Sequence, residues 1–409
     1  MKKTISQIVS ERILILDGAM GTMLQRHGLK LGEIPELLAI TNPDLLTNIH
    51  RQYIEAGTEI VYANTFGANR RKMQKTPYTV ADVVSAAIAA AKKACIGTSA
   101  RVALDIGPLG ELLEPMGTLP FETAVDMFAE IVDAGVNAGA DLICIETMTD
   151  LYEAKAALLA AKEHSTLPVW VTMSFDATGR TFTGCTIPSM ARTLEGLGAD
   201  AIGLNCSQGP KQLLPLFQEL CRVTTLPVIA KPNAGLPDPV DGHYDLPPED
   251  FARTMVDVVG AGVSIVGGCC GTTEEHIAAL KAALKDAEYV RPAPECLDLL
   301  PAATEKEAFF LPADATHGAV LTADGDLEDK LSDAMDDEWP MVALKLASWA
   351  DVDALADYQY MIRKPLCLIC DDAELLEAGL RAYQGRALYE GNLTEDALAP
   401  LLEKYGLLV

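Results

Sequence analysis

Two adjacent thiols are the first residues in this chain whose types suggest chemistry. Cys269 and Cys270 stand in Gly267-Gly268-Cys269-Cys270-Gly271-Thr272, after an apolar run at 263–266 and before a helical pattern starting at Thr273. Glycine lacks a Cβ and permits tight turns, so this stretch suits a backbone that must approach something closely. Two thiolates from one turn can take two corners of a tetrahedral zinc site, which then needs a third protein ligand. Cys206 is the candidate, because Gly203-Leu204-Asn205-Cys206-Ser207 also closes an apolar run. Vicinal cysteines alone fit core packing better than metal binding. A third cysteine at the end of another strand-like run reverses that order, provided the two turns can meet.

The elements decide whether they meet. Short apolar runs at 13–16, 60–63, 102–104, 142–145, 169–173, 201–204, 228–230 and 263–266 read as buried strands. Helical patterns lie between them, at 42–56, 80–95, 121–138, 151–164, 187–197, 211–223, 248–259 and 273–284. Continuous apolar strands alternating with helices mean a parallel sheet covered by helices, and eight such units are the count of a (β/α)₈ TIM barrel, an α/β fold. A doubly wound open sheet is the second choice, but no Gly-x-Gly-x-x-Gly turn follows the first strand. Barrel active sites sit at the C-terminal strand ends. Those ends carry Asp17, Asn64, Asp105, Glu146, Ser174, Asn205, Cys206, Asn233, Cys269 and Cys270. Strands six, seven and eight are neighbours in a barrel, which puts Cys206, Asn233 and the cysteine pair on one arc of one rim.

Composition sets outer bounds. With 409 residues, 49% hydrophobic and 22% charged, the chain has the makeup of a soluble globular protein of more than one domain. No apolar run is long enough to span a bilayer, and polar residues interrupt the short amphipathic lead before residue 13, so no secretion signal is read. A cytoplasmic setting follows, in which the 10 cysteines are thiols. A net charge of −26 argues against nucleic acid or an anionic membrane as partner.

Taken together, Asp17-Gly18-Ala19-Met20-Gly21-Thr22, Asn64-Thr65-Phe66, Asp105-Ile106-Gly107-Pro108, Glu146-Thr147, Gly203-Leu204-Asn205-Cys206-Ser207, Lys231-Pro232-Asn233-Ala234-Gly235 and the double-cysteine turn resemble the homocysteine S-methyltransferase family. Within it, the resemblance is greatest to the N-terminal homocysteine domain of cobalamin-dependent methionine synthases, over roughly residues 5–290. It implies one zinc ion on Cys206, Cys269 and Cys270, with an open position where a homocysteine thiol loses its proton. It further implies Asp17 and Glu146 for the substrate ammonium, and backbone N–H groups around Ala19, Met20, Gly21 and Thr22 for the carboxylate. Asn64 and Ser174 are expected at the substrate, and Asn233 there or as a weak metal ligand. The methyl donor implied is a methylcorrinoid on a partner protein, with S-methylmethionine or a betaine-like compound as alternatives. Outside this family, a barrel zinc hydrolase is disfavoured by an all-cysteine ligand set. A non-catalytic zinc or thiol-binding module is the other reading. For Asp17 and Glu146 alone, helix capping is as good an explanation as substrate binding.

Other residues invite blander readings. Cys95, Cys144 and Cys221 occupy apolar positions and suit core packing, and Cys185 falls near the rim. Cys367 and Cys370 have C-x-x-C spacing inside a strand-like run, where residues three apart face opposite sides. His243 sits in a polar loop where it could touch substrate, and the acidic run 333–338 reads as a solvated turn. Composition changes near residue 290. Residues 1–290 are expected as the barrel, 291–312 as a linker and 313–409 as a small α/β appendage with a docking or structural role.

Overall fold

A strand covered on both faces has no polar side to show, which is why the strand runs of this chain are apolar throughout. The computed structural model describes residues 5, 9, 12–30, 32–238, 242, 244–287, 289–295 and 298–409. His243 and most of the amphipathic lead lie outside the described residues. Eight strands form one sheet: β1 (Leu14–Ile15), β2 (Ile60–Tyr62), β3 (Arg101–Ile106), β4 (Leu142–Met148), β5 (Val169–Met173), β6 (Ala201–Asn205), β7 (Val228–Lys231) and β8 (Ile265–Val266). They run parallel in the order β1-β8-β7-β6-β5-β4-β3-β2. The ring closes through a bridge between Leu16 and Ile60 and a 2.8 Å hydrogen bond from Glu59 N–H to Ile15 O.

One long helix follows each strand: α1 (Pro43–Ala56), α2 (Val80–Cys95), α3 (Phe121–Asn137), α4 (Leu151–His164), α5 (Ile187–Gly196), α6 (Pro210–Val223), α7 (Pro248–Gly260) and α8 (Glu274–Ala283). The expected (β/α)₈ barrel is the observed one. α1 starts on Pro43 and stops at Gly57, whose φ of 116° takes the left-handed conformation that glycine adopts without penalty. Asn42 occupies the N-cap position, but its side chain makes no capping bond. Among the described residues no helix is long and apolar enough to cross a membrane.

Strand side chains alternate between two cores. Leu14, Leu16, Ile60, Ala103, Cys144, Trp170, Ala201, Ile229 and Ile265 fill the barrel interior. Their neighbours, such as Ile15, Val61, Ile143 and Val171, pack outward against the helices. Cys144 and Cys221 are buried as expected, while Cys95 is half-buried; Cys185, placed near the rim by sequence, is fully buried.

The stretch expected as a linker contains a hairpin, β9 (Leu300–Ala303) with β10 (Ala308–Leu311). It is ordered because both of its sides have partners. Ser189 and Thr186 of the barrel donate to the carbonyls of Thr304 and Lys306. Leu300, Ala302 and Leu311 pack on a second sheet. That sheet is parallel, in the order β11 (Val320–Thr322), β12 (Val342–Lys345), β13 (Leu366–Ile369) and β14 (Leu388–Glu390). Helices α9 (Leu327–Asp336), α10 (Trp349–Tyr358), α11 (Ala373–Ala382) and α12 (Glu395–Tyr405) accompany it. Much of the acidic run read as a turn is the end of α9, because Leu327, Leu331 and Met335 at four-residue spacing bury one helical face. Cys367 packs with the hairpin and Cys370 with the helix-side core, on opposite sides of the sheet.

A buried lysine fastens the two units. Lys155 of α4 is 2% exposed and donates to the carbonyls of Leu380 and Tyr383 at the C-terminus of α11. Burial, and then the nearby Arg381, pull its pKa down to about 7. The folded state therefore holds fewer protons than the unfolded chain above pH 7, and stability rises with pH from there toward the ordinary lysine value. We expect Lys155→Met to leave two buried carbonyls without a donor, to lower stability by about 1–3 kcal/mol, and to flatten this pH dependence in urea titrations.

Candidate metal and substrate site

The alternation that builds the barrel interior also builds the site. Two residues beyond an inward-facing apolar residue, the strand still faces inward. Cys144 is thus followed by Glu146, Ala103 by Asp105, Ile229 by Lys231, Trp170 by Thr172, and Ala201 by Gly203 and then Asn205. The apolar plug is topped by a polar layer at the C-terminal ends of the strands.

Lys231 is the centre of that layer. Its Nζ lies 3.2 Å from Glu146 Oε2, 3.6 Å from Asp17 Oδ1 and 3.5 Å from the centre of the Tyr62 ring. Asp17 also accepts the Tyr62 backbone N–H at 2.7 Å. Burial lifts the Asp17 carboxyl to about 6 despite the neighbouring ammonium. Burial and the Glu146 carboxylate push Asp105 well above the usual carboxylate range. Burial works against the charge on Lys231, yet Glu146 and Asp17 hold its pKa above the ordinary lysine value. Three carboxylates thus surround one ammonium. Neither Asp17 nor Glu146 caps a helix: Ala19 is the N-cap after β1, and Asp150 caps α4 through Tyr152 N–H.

The three cysteines meet beside this layer. The sulfurs of Cys206, Cys269 and Cys270 all lie within 4.8 Å of one another, and those of Cys206 and Cys270 are 3.9 Å apart. Tetrahedral zinc–sulfur bonds of about 2.3 Å place ligand sulfurs about 3.8 Å apart, so the triangle has the size of a zinc face. The segment after β7 splints the two turns. Lys231 O accepts from Cys206 N–H at 3.1 Å and Pro232 O from Cys269 N–H at 2.8 Å, while Ala234 N–H donates to Cys270 O at 2.9 Å. Gly203 is required where β6 meets β7, because a Cβ there would lie 2.1 Å from Ile229 O. The S–H groups of Cys206 and then Cys269 hold the Cys270 thiol below its ordinary range, while those of Cys206 and Cys270 raise Cys269.

Asn233 sits between the turns. Its N–H donates to Gln208 O at 2.9 Å, and its side-chain Oδ1 is buried without a hydrogen-bond partner. Thr22 Oγ1 accepts from Gly271 N–H at 3.0 Å and Ala19 N–H donates to Thr272 Oγ1 at 3.2 Å, which docks the segment Ala19-Met20-Gly21-Thr22 on the double-cysteine turn. The Ala19 N–H is therefore engaged, and the N–H groups of Met20, Gly21 and Thr22, in the first turn of the short helix Met20–Arg26, have no acceptor earlier in that helix. Ser174 closes β5, its N–H bonded to Met148 O at 2.8 Å. The Asn64 amide donates to Pro35 O at 2.8 Å, which ties it to the loop ahead of α1. Sequence reasoning gave no role to Lys231, Asn205, Thr147 or Tyr244. Tyr244 hydrogen-bonds Cys270, and burial together with that sulfur raises its phenol. The signal for Lys231 was its parity with Ile229, an inward position where lysine is rare.

The homocysteine S-methyltransferase family profile matches residues 14–284. The methionine synthase of Mycobacterium tuberculosis is 34% identical over 299 residues, covering 68% of this chain and 25% of that protein. That of Mycobacterium leprae is 34% identical over 301 residues, with the same shares. The chain thus spans about a quarter of the length of these curated relatives. The fold is similar to that of the homocysteine methyltransferase MmuM from Escherichia coli. Its oxidized form gives a TM-score of 0.60 at 24% identity, covering 69% of this chain and 99% of that one, and its metallated form 0.59 at 24%, covering 68% and 98%.

Lys231→Met strands buried carboxylates without their cation. We expect a loss of about 3–5 kcal/mol in chemical denaturation near neutral pH. The deficit should shrink as pH falls and Asp17 takes up a proton; an equal deficit at all pH values would mean the ammonium is not what holds the buried acids.

Proposed function

The chain belongs to the homocysteine S-methyltransferase family, and from that premise we propose that it methylates the thiol of homocysteine, giving methionine, with a zinc ion on Cys206, Cys269 and Cys270. The observation that carries this reading is the sulfur triangle of zinc dimensions beside a carboxylate-rich pocket. Zinc on three thiolates favours the ionised form of an incoming thiol and leaves it electron-rich.

The chain's own residues do the rest. Asp17 and Glu146 receive the substrate ammonium; these two outnumber Lys231, so the pocket retains room for a second cation. Met20, Gly21 and Thr22 offer backbone N–H groups to the substrate carboxylate, and Asn64 and Ser174 line the rim. The buried Asn233 Oδ1 has no hydrogen-bond partner and would be available as a further, weak ligand to that zinc. In the transfer the homocysteine sulfur forms a bond to the methyl carbon, and the bond from that carbon to its donor breaks with the electron pair leaving on the donor. The donor we favour is a methylcorrinoid on a partner protein, since the 34% identical relatives are methionine synthases. We take residues 1–290 as the catalytic unit in the cytoplasm and 313–409 as a docking or structural unit.

Two experiments test this. Each of Cys206→Ala, Cys269→Ala and Cys270→Ala should reduce zinc content to background and abolish methionine formation; full zinc in the Cys269→Ala, Cys270→Ala double variant would sink the assignment. A donor panel of methylcobalamin protein, S-methylmethionine and betaine, with homocysteine as acceptor, should yield methionine fastest from the corrinoid.

A further inference from the structure

Three non-glycine residues among those described have positive φ, and all three are at this site: Thr147 at 61°, Cys206 at 60° and Ser207 at 56°. Backbone in this region is unfavourable for residues with a Cβ and persists only where surroundings impose it. For Thr147 the imposing group is Asn205. The Thr147 N–H donates to Asn205 Oδ1 at 2.9 Å, and the Thr172 hydroxyl donates to the same oxygen at 2.9 Å. Because a backbone N–H can only donate, the oxygen of the carboxamide must face Thr147 N–H, and its NH₂ must face the other way. That NH₂ donates to Thr147 Oγ1 at 2.6 Å and reaches Cys269 Sγ at 4.0 Å. Asn205 is 0% exposed, so water cannot substitute for any of these partners.

The side chain therefore joins three strand ends. On one side it fixes Thr147, the residue after Glu146, whose carboxylate meets Lys231. On the other it presents an N–H to one of the three sulfurs. We propose that Asn205 is a positioning residue that sets both halves of the site, aiming Glu146 at the substrate ammonium and steadying the Cys269 thiolate. The inference rests on the zinc and homocysteine reading above. It extends that reading to a residue that touches neither reacting atom.

Asn205→Asp tests it on the full chain loaded with zinc. The substitution keeps shape and the oxygen facing Thr147 and Thr172, and removes both N–H bonds. We expect zinc affinity, measured by chelator competition, to fall about 10–100-fold, and homocysteine affinity, measured by calorimetry, to fall about tenfold. The thiolate-to-metal absorption band of cobalt(II)-substituted protein should shift. Parent values for zinc, homocysteine and the band together would overturn the proposal. If Asn205→Asp does not fold, Thr147→Val removes only the hydroxyl that accepts from the carboxamide. It should weaken homocysteine severalfold, with Thr147→Ser restoring it; equal affinities in the two would overturn the proposal. A parent protein that binds no zinc would defeat the underlying reading and this inference together. A parent that binds zinc and forms methionine beside indistinguishable variants would defeat this inference alone.

Discussion

The hydrogen bonds that run through Lys231-Pro232-Asn233-Ala234 are the constraint on which the site depends. Cys206 and the Cys269-Cys270 pair are 63 and 64 residues apart in sequence. What brings their sulfurs within 4.8 Å is β7, which lies between β6 and β8 and whose following segment bonds to both turns. Those bonds are main chain to main chain, so they fix backbone positions whatever the protonation of the thiols. Barrel topology supplies the adjacency, and the loop after β7 turns adjacency into a sulfur spacing.

The same strand carries the charge that makes the neighbouring acids tolerable. A buried carboxylate without a cation loses several kcal/mol of hydration that nothing replaces. Lys231 answers two of them at 3.2 and 3.6 Å, while burial and the Glu146 carboxylate push Asp105 above the usual carboxylate range. The result is a pocket that is paired but not neutral. One residue of β7 thus organises the acids through its side chain while its carbonyl holds Cys206. The sulfur triangle and the acidic pocket are therefore coupled through a single strand end.

Much of this was legible in the sequence, for identifiable reasons. The eight apolar runs and their intervening helices gave the barrel, because burial on both faces leaves a continuous apolar signature. Glycines flanking Cys206 and Cys269-Cys270 marked turns. Less legible were residues whose meaning is relational. Lys231 reads as an ordinary strand end until its parity with Ile229 sends it inward. Asn205 reads as a turn residue until Thr147, Thr172 and Cys269 converge on it. The hairpin at 300–311 was hidden because its stability comes from the barrel on one side and the second sheet on the other. The end of α9 was hidden because acidic residues on its exposed face outweigh three buried apolar ones.

The splint across the cysteine turns bears on the order of assembly. Many small metal-binding folds are unfolded until the ion arrives, since the ion itself closes their loops. Here the loops are already closed by peptide hydrogen bonds and sit on a barrel core built without the three clustered thiols. For the zinc proposed here, folding and metallation would be separable events. The polypeptide could be made, stored and handed that ion afterwards, and loss of the ion under scarcity or chelation would leave a shaped vessel ready to be refilled.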